Sequence, residues 1–447
     1  VLYVGRAEVR NATIPASTSF YEEWMGQYFA EYDVERANAL LDEMGLTMGS
    51  NGVPLRPDGA PLAGREVIVE QTRHAFGFGN IGFDLIPLAN GETTGAERER
   101  DELRARQWFK LFNQVTLPFY WARFEPVRGA PDTQRLRTAA AWFVERGVPV
   151  KGHPLVWHTL APPWLLDLPL DEVEATIRDR VRRDVSAFAG LIDLWDAINE
   201  VVIMPVFEKE DNAITRLAAV RGRVAMVRLA FESAREANPS ARLVLNDFDL
   251  SVDYEHLIEE CLAAGIAIDA LGLQTHMHQG YRGEEEIIST VDRFARYGLP
   301  IQMTETTLVS GELMPPHIVD LNDWQVDSWP STPEGEQRQA DEVVRHYRSL
   351  VAHPAVESIT YWGLSDAGAW LNAPAGLVRA DGTEKPSYRA LHGLIRGEWW
   401  LAPTTVCTDG AGRFQVHGFA GEYQCRLDGS AATFTLPTGT AEIDVTL

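Results

Sequence analysis

Leu194-Trp195-Asp196-Ala197-Ile198-Asn199-Glu200 is a short, mostly apolar run that stops on an amide and an acid. Pro300-Ile301-Gln302-Met303-Thr304-Glu305 has the same form. Each reads as a buried strand ending in a glutamate. A carboxylate at the end of a buried strand costs free energy unless it is paired or used. Two such acids at matching strand ends point to a carboxylate pair, the working groups of glycosidic-bond hydrolysis.

The strand form recurs on both sides of these segments. Strands are predicted over residues 75–78, 114–119, 149–152, 194–198, 243–245, 270–273, 301–304 and 358–362. Helical patterns fall over 97–111, 134–146, 170–191, 216–237, 254–264, 284–297, 333–351 and 386–395. Strands alternating with helices in this way predict an α/β fold, a (β/α)8 TIM barrel over residues 76–399. A doubly wound open sheet is the alternative, but it usually places a Gly-rich phosphate turn after its first strand. Gly77-Phe78-Gly79 leads into no helical pattern. Residues 1–75 read as an N-terminal extension packing on the barrel. It has a helix over 20–44, a turn at Pro57-Asp-Gly-Ala-Pro61 and a strand over 66–71. Residues 400–447 hold short strand patterns broken by glycines, read as a small accessory β-domain.

The 447 residues carry a formal charge of −24. That argues against nucleic acid or an anionic membrane as the main partner and leaves a neutral polysaccharide or oligosaccharide open. No apolar run approaches the roughly 20 residues needed to span a bilayer. The 13 Trp and 12 Tyr offer faces for sugar rings, although most such side chains pack in cores. Cys261 sits in a helical pattern as a small hydrophobe. Cys407 and Cys425 flank strand patterns and read equally well as a disulfide or as two free thiols. With no CxxC spacing, no structural zinc site is expected, and no metal or cofactor is implied. The sequence starts at Val1 without a signal segment; an extracellular or periplasmic location is expected, with the export signal lost by processing or trimming.

Functional groups of a (β/α)8 barrel sit at the C-terminal ends of its strands. Glu200 closes the fourth and Glu305 the seventh. One acid must protonate the leaving oxygen; the other must attack the anomeric carbon or activate water. The proton donor needs a raised pKa, which burial and a neighbouring carboxylate supply. Other polar and aromatic groups follow successive strands: His153 and His158 after the third, Asn246-Asp247 after the fifth, Gln274 and His276 after the sixth. Trp362 ends the eighth, and Trp370 lies in its loop. A lone histidine is more often a core residue; the joint placement carries the signal. His276-Met277-His278 has ligand-like spacing for one strand face, the basis of a rival metal-dependent hydrolase. No second His or carboxylate pair at the first strand supports it.

In these segments the chain resembles glycoside hydrolase family 10, the β-1,4-xylanase family. The resemblance rests on Gly152-His-Pro-Leu-Val-Trp-His158 with Pro163-Trp164, on Trp195-Asp-Ala-Ile-Asn-Glu200, and on Gly272-Leu-Gln-Thr-His276. It continues through Thr304-Glu305, Trp362-Gly-Leu-Ser-Asp366 with Trp370, and Lys385-Pro386-Ser-Tyr388. It runs from about residue 64 to 396 in the family's order. It implies a retaining, endo-β-1,4-xylanase-like enzyme acting on a plant polysaccharide, with Glu200 as acid/base and Glu305 as nucleophile. It gives Asn199 the 2-hydroxyl of the sugar at subsite −1, and His158, Gln274, His276, Trp362 and Trp370 the lining of that region; Asn246 joins the candidate site. Three departures stand out. The family's Glu-Asn-x-Met-Lys-Trp after the second strand is Leu117-Pro-Phe-Tyr120-Trp121 here, so Tyr120 and Trp121 are expected to replace a polar grip with aromatic surface. The family's Thr-Glu-x-Asp becomes Thr304-Glu-Thr-Thr307, which takes a carboxylate partner from His276. The Arg that often follows the last Trp is Leu371. The alternatives are a different or substituted β-glycan, or a non-catalytic carbohydrate-binding relative, which the two retained glutamates disfavour.

Overall fold

A computed structural model describes residues 47–48, 54–55, 63–410, 412–427 and 430–439. The helix expected over 20–44 and the turn at 57–61 lie outside the described residues. Eight parallel strands close into a barrel in sequence order: Gly77–Ile81, Gln114–Pro118, Val150–His153, Leu194–Asn199, Arg242–Asp247, Ala270–Met277, Ile301–Leu308 and Val356–Tyr361. The eighth pairs with the first, from Ser358↔Gly77 to Tyr361↔Asn80. Helices cover the outside, so the strands are buried on both faces, and Ile301–Leu308 is buried at every residue. This explains why the strands read as short apolar runs.

Two glycines let a side chain of the neighbouring strand lie against the backbone. A Cβ on Gly152 would fall 2.2 Å from the Trp195 ring, and one on Gly272 would fall 2.4 Å from Asn246 Oδ1. Asn246 serves the site described below, where it touches Glu305, whereas Trp195 packs against Phe119 and Phe188 in the layer under the helices.

The structure corrects several expected boundaries. The sixth and seventh strands run four residues past their predicted ends, so Glu305 lies within its strand. Pairing slips between Met303 and Glu305, and again between Asp196 and Ile198 in the fourth strand. Such irregularities bend a strand and re-aim its side chains, and they gather next to active sites. The helix expected over 216–237 is two, Ala213–Arg221 and Arg223–Ala237. Gly222, at φ +82°, takes a left-handed turn that an L side chain resists.

The boundaries read at 75 and 400 are crossed by a second sheet. Its antiparallel order is Thr404–Cys407, Glu66–His74, Gly421–Leu427, Ser430–Leu436. Glu66–His74, assigned from sequence to the N-terminal extension, is an inner strand between C-terminal partners. Val67, Val69, Tyr423 and Cys425 form its small core. Cys407 is exposed and Cys425 buried, on opposite sides of Glu66–His74, and both are free thiols. Among the described residues no helix is long and apolar enough to cross a membrane.

Candidate active site

Glu200 follows the fourth strand at φ +57°, a left-handed conformation that is uncommon for a residue with a side chain. Its backbone N–H donates to the Asn246 carbonyl at 2.9 Å, which pins the turn to the fifth strand. Trp157 Nε1 donates to Oε2 at 2.8 Å. Asn199 Nδ2, at 3.0 Å, and Gln274 Nε2, at 3.3 Å, donate to Oε1. Burial pushes the Glu200 carboxyl up to about 8, and the charges of Glu305 and Asp247 push the same way against the Trp157 and Gln274 hydrogen bonds.

Glu305 is 5% exposed. Asn246 Nδ2 donates to its Oε1 at 3.1 Å, and His276 Nε2 lies 3.1 Å from its Oε2. A carboxylate only accepts, so Nε2 of His276 carries the proton. The other ring nitrogen meets the Thr307 hydroxyl at 2.6 Å, in keeping with the expected loss of a carboxylate partner at that position. Asn246 Nδ2 also reaches Asn199 Oδ1 at 2.6 Å, and Thr304 donates to Asn246 Oδ1 at 2.6 Å. The two glutamates are thus the ends of one chain of side-chain amides, Glu200–Asn199–Asn246–Glu305.

A buried charged group supports Glu305 from the third strand. His153 Nε2 lies 3.9 Å from Glu305 Oε1, and its Nδ1 lies 2.8 Å from Asp196 Oδ2. Lys151 Nζ sits 2.7 Å from Asp196 Oδ1, with both side chains 1% exposed. Burial alone would raise the Asp196 carboxyl; Lys151 and His153 instead hold it below the usual carboxylate range. Lys151 and His153 share a strand face by the two-residue alternation.

Rings wall one half of the barrel mouth. Tyr120 packs on Phe83, His153 and Trp157 at centroid distances of 5.8, 5.7 and 5.6 Å. Trp362 contacts Phe83 at 5.8 Å and His153 at 5.1 Å. Trp370, 38% exposed, lies 4.9 Å from the His276 ring. Burial and the nearby Glu305 and Glu200 charges hold the Tyr120 hydroxyl protonated, far above its ordinary range.

Of the residues expected at the site, Glu200, Glu305, Asn199, Asn246, Gln274, His276, Tyr120, Trp362 and Trp370 come together. His158 and Trp121 do not. The third strand ends at His153, so alternation no longer governs residue 158. The His158 ring packs 4.3 Å from Phe207, and burial lowers its pKa to about 3, so it is a neutral core histidine. Trp121 opens a one-turn helix, Trp121–Phe124, and turns inward. Its indole donates to Glu125 at 3.0 Å and its ring lies 4.5 Å under Arg180. The missed contacts are Trp157, which touches Glu200, and the Lys151–Asp196 pair behind His153. Trp157 stood inside a quoted motif; only the strand alternation could have pointed to Lys151. Among the described residues no three His, Cys, Asp or Glu side chains gather as metal ligands.

The glycosyl hydrolase family 10 profile matches residues 89–393. Endo-1,4-beta-xylanase C of Paenibacillus barcinonensis is 28% identical over 339 residues, covering 66% of this chain but only 30% of its own length. Endo-1,4-beta-xylanase B of Thermotoga neapolitana is 26% identical over 339 residues, 73% of this chain and 85% of that protein. A solved family 10 structure from Paenibacillus barcinonensis superposes with a TM-score of 0.59 at 25% identity, over 71% of this chain and 94% of that one. With a profile match spanning most of the described barrel and two carboxylates joined inside its mouth, the chain belongs to glycosyl hydrolase family 10.

Proposed function

We propose that the chain is a retaining hydrolase of β-1,4-linked, xylan-type glycans, with Glu200 as acid/base and Glu305 as nucleophile. The observation that carries the roles is the raised pKa of Glu200 beside a second carboxyl held in place by hydrogen bonds. Glu200 is pushed up to about 8 and so holds a proton at neutral pH. Glu305 accepts from two donors, Asn246 and His276, which fix its two oxygens at the end of the amide chain from Glu200.

In the first step the Glu305 carboxylate attacks the anomeric carbon as the bond to the leaving oxygen breaks, and the Glu200 proton passes to that oxygen. The product is a glycosyl ester on Glu305. Water then enters, the Glu200 carboxylate takes its proton, and the hydroxide displaces Glu305. Two inversions retain the anomer. The aromatic wall of Phe83, Tyr120, Trp157 and Trp362 gives a neutral sugar ring apolar faces. The names of the xylanase relatives support the xylan class. Such polymers do not enter cells, which supports a working place outside them, and residues 400–447 are read as accessory.

A second reading is favoured by Tyr120. It stands where family xylanases carry polar xylose contacts, and it is packed between His153 and Trp157. This supports a substituted or different β-glycan as the best substrate. A polysaccharide panel with NMR of the first-formed anomer tests both readings. Retained β-products from xylan are expected; an inverted product, or activity that survives in Glu305→Ala, overturns the assignment.

A further inference from the structure

The aromatic wall occupies the mouth above the first, second, third and eighth strands. With a sugar ring held there and Glu200 on the fourth strand giving its proton, the leaving group must depart above strands four to seven. Two loops border that half: residues 201–212 after the fourth strand and 309–332 after the seventh. They are joined. Lys209 Nζ lies 2.5 Å from Asp323 Oδ1 and 3.6 Å from Asp320 Oδ2.

The second loop is a stiff abutment. Val309, Met314, Trp329, Ala373 and Ala375 give it a core of its own. Met314 N donates to the His278 carbonyl at 3.0 Å, and Gln279 Nε2 donates to the Pro315 and Ile318 carbonyls at 2.9 and 2.8 Å. A 3-10 turn, Leu321–Asp323, capped by the Asp320 side chain, presents both carboxylates to Lys209. The first loop is anchored at its root. Asp247 accepts from Val202 N at 3.0 Å, and Arg223 donates to the Val202 carbonyl at 2.8 Å.

We propose that Lys209, with Asp320 and Asp323, is a latch across the leaving-group side of the cleft that disfavours long aglycones, so that the enzyme prefers chain ends and short oligosaccharides to polymer interiors. The proposal rests on Glu200 being the proton donor. Fixed loops on either side of a cleft exclude a chain that must run between them, whereas a small aglycone needs no such room. Lys209 contacts no reacting group and is a specificity residue only.

The test compares the best polysaccharide of a panel with a nitrophenyl glycoside of the same sugar. The readout is the ratio of the two kcat/KM values within each variant. Lys209→Ala should raise the polymer-to-aryl ratio roughly two- to fivefold, the reach of an exposed ion pair. About 0.5 M salt should raise the wild-type ratio toward the same value and leave that of Lys209→Ala in place, because salt screens exposed charges. The exchanged pair, Lys209→Asp with Asp323→Lys, should bring the ratio back down. A ratio that stays the same in Lys209→Ala, with normal aryl turnover, overturns the latch alone. Wild-type protein that cleaves neither substrate overturns the reaction reading and the latch with it.

Discussion

The indole N–H of Trp157 donates to Glu200 Oε2 at 2.8 Å, the oxygen that Asn199 and Gln274 leave free. A donor on a carboxylate favours its charged form, so Trp157 lowers a pKa that burial has raised to about 8. The protonated acid is the active form in the first step. Activity should therefore fall as pH rises through about 8. Trp157→Phe should move that basic limb upward, by roughly 1 pH unit. A pH profile of kcat/KM measures this; a limb that moves down speaks against the donor role.

Glu305→Ala should abolish turnover on every substrate, and added azide should restore cleavage of an activated glycoside with an inverted product. Glu200→Ala should spare nitrophenyl glycosides, whose leaving groups need little protonation, while losing the polymer. Equal loss on both substrates in Glu200→Ala would remove Glu200 from the acid role.

Glu200 and Asp247 have folded pKa values raised by burial, to about 8 and about 7. Both groups are protonated in either state only well below about pH 4, under their ordinary carboxyl range. As pH rises, the unfolded chain releases their protons first, so stability falls between about pH 4 and pH 8. Glu200→Gln removes one of these groups. Its melting temperature should exceed that of the wild type at pH 8 by more than at pH 4, with a gain on the order of 1 kcal/mol. An equal gain at both pH values would detach the effect from ionisation.

Tyr120 supplies a ring and one protonated hydroxyl where a Lys would supply charged donors. Two missing polar contacts weaken a sugar by roughly 1–3 kcal/mol, about 5- to 150-fold. Unsubstituted xylo-oligosaccharides should therefore rank below substituted oligosaccharides of the same length in kcat/KM across a panel. A top rank for the linear oligomers would refute this. Trp121→Ala should cost folding stability, about 3 kcal/mol or more, through the lost core ring rather than through the cleft.

Removal of residues 400–447 leaves Glu66–His74 with neither neighbour and exposes Val67 and Val69. The truncated protein should melt earlier yet keep its turnover on small glycosides. Loss of turnover in a truncated protein that still shows a folded near-ultraviolet spectrum would give this sheet a catalytic part.

The barrel was legible because buried parallel strands are short apolar runs and their ends carry acids. Glu200 and Glu305 stood out for that reason. His158 misled because a motif keeps its letters after the strand ends, while the side-chain alternation stops at His153. Trp121 misled because a one-turn helix reverses the direction of its first ring. The pairing of Glu66–His74 with Gly421–Leu427 is written in no local pattern, since the partners lie at opposite ends of the sequence.

That pairing has a consequence for how the protein is made. Arg65 N bonds Thr408 Oγ1 across 343 positions of sequence. A ribosome releases the inner strand long before either neighbour exists. During that interval both edges of Glu66–His74 are open to strands of other chains, a known route to aggregation. The stretch from Thr404 onward follows every barrel strand in the sequence, so the edges of Glu66–His74 are sealed only after all eight barrel strands have been made. Stalled or proteolysed chains that lack it should be the species that chaperones hold.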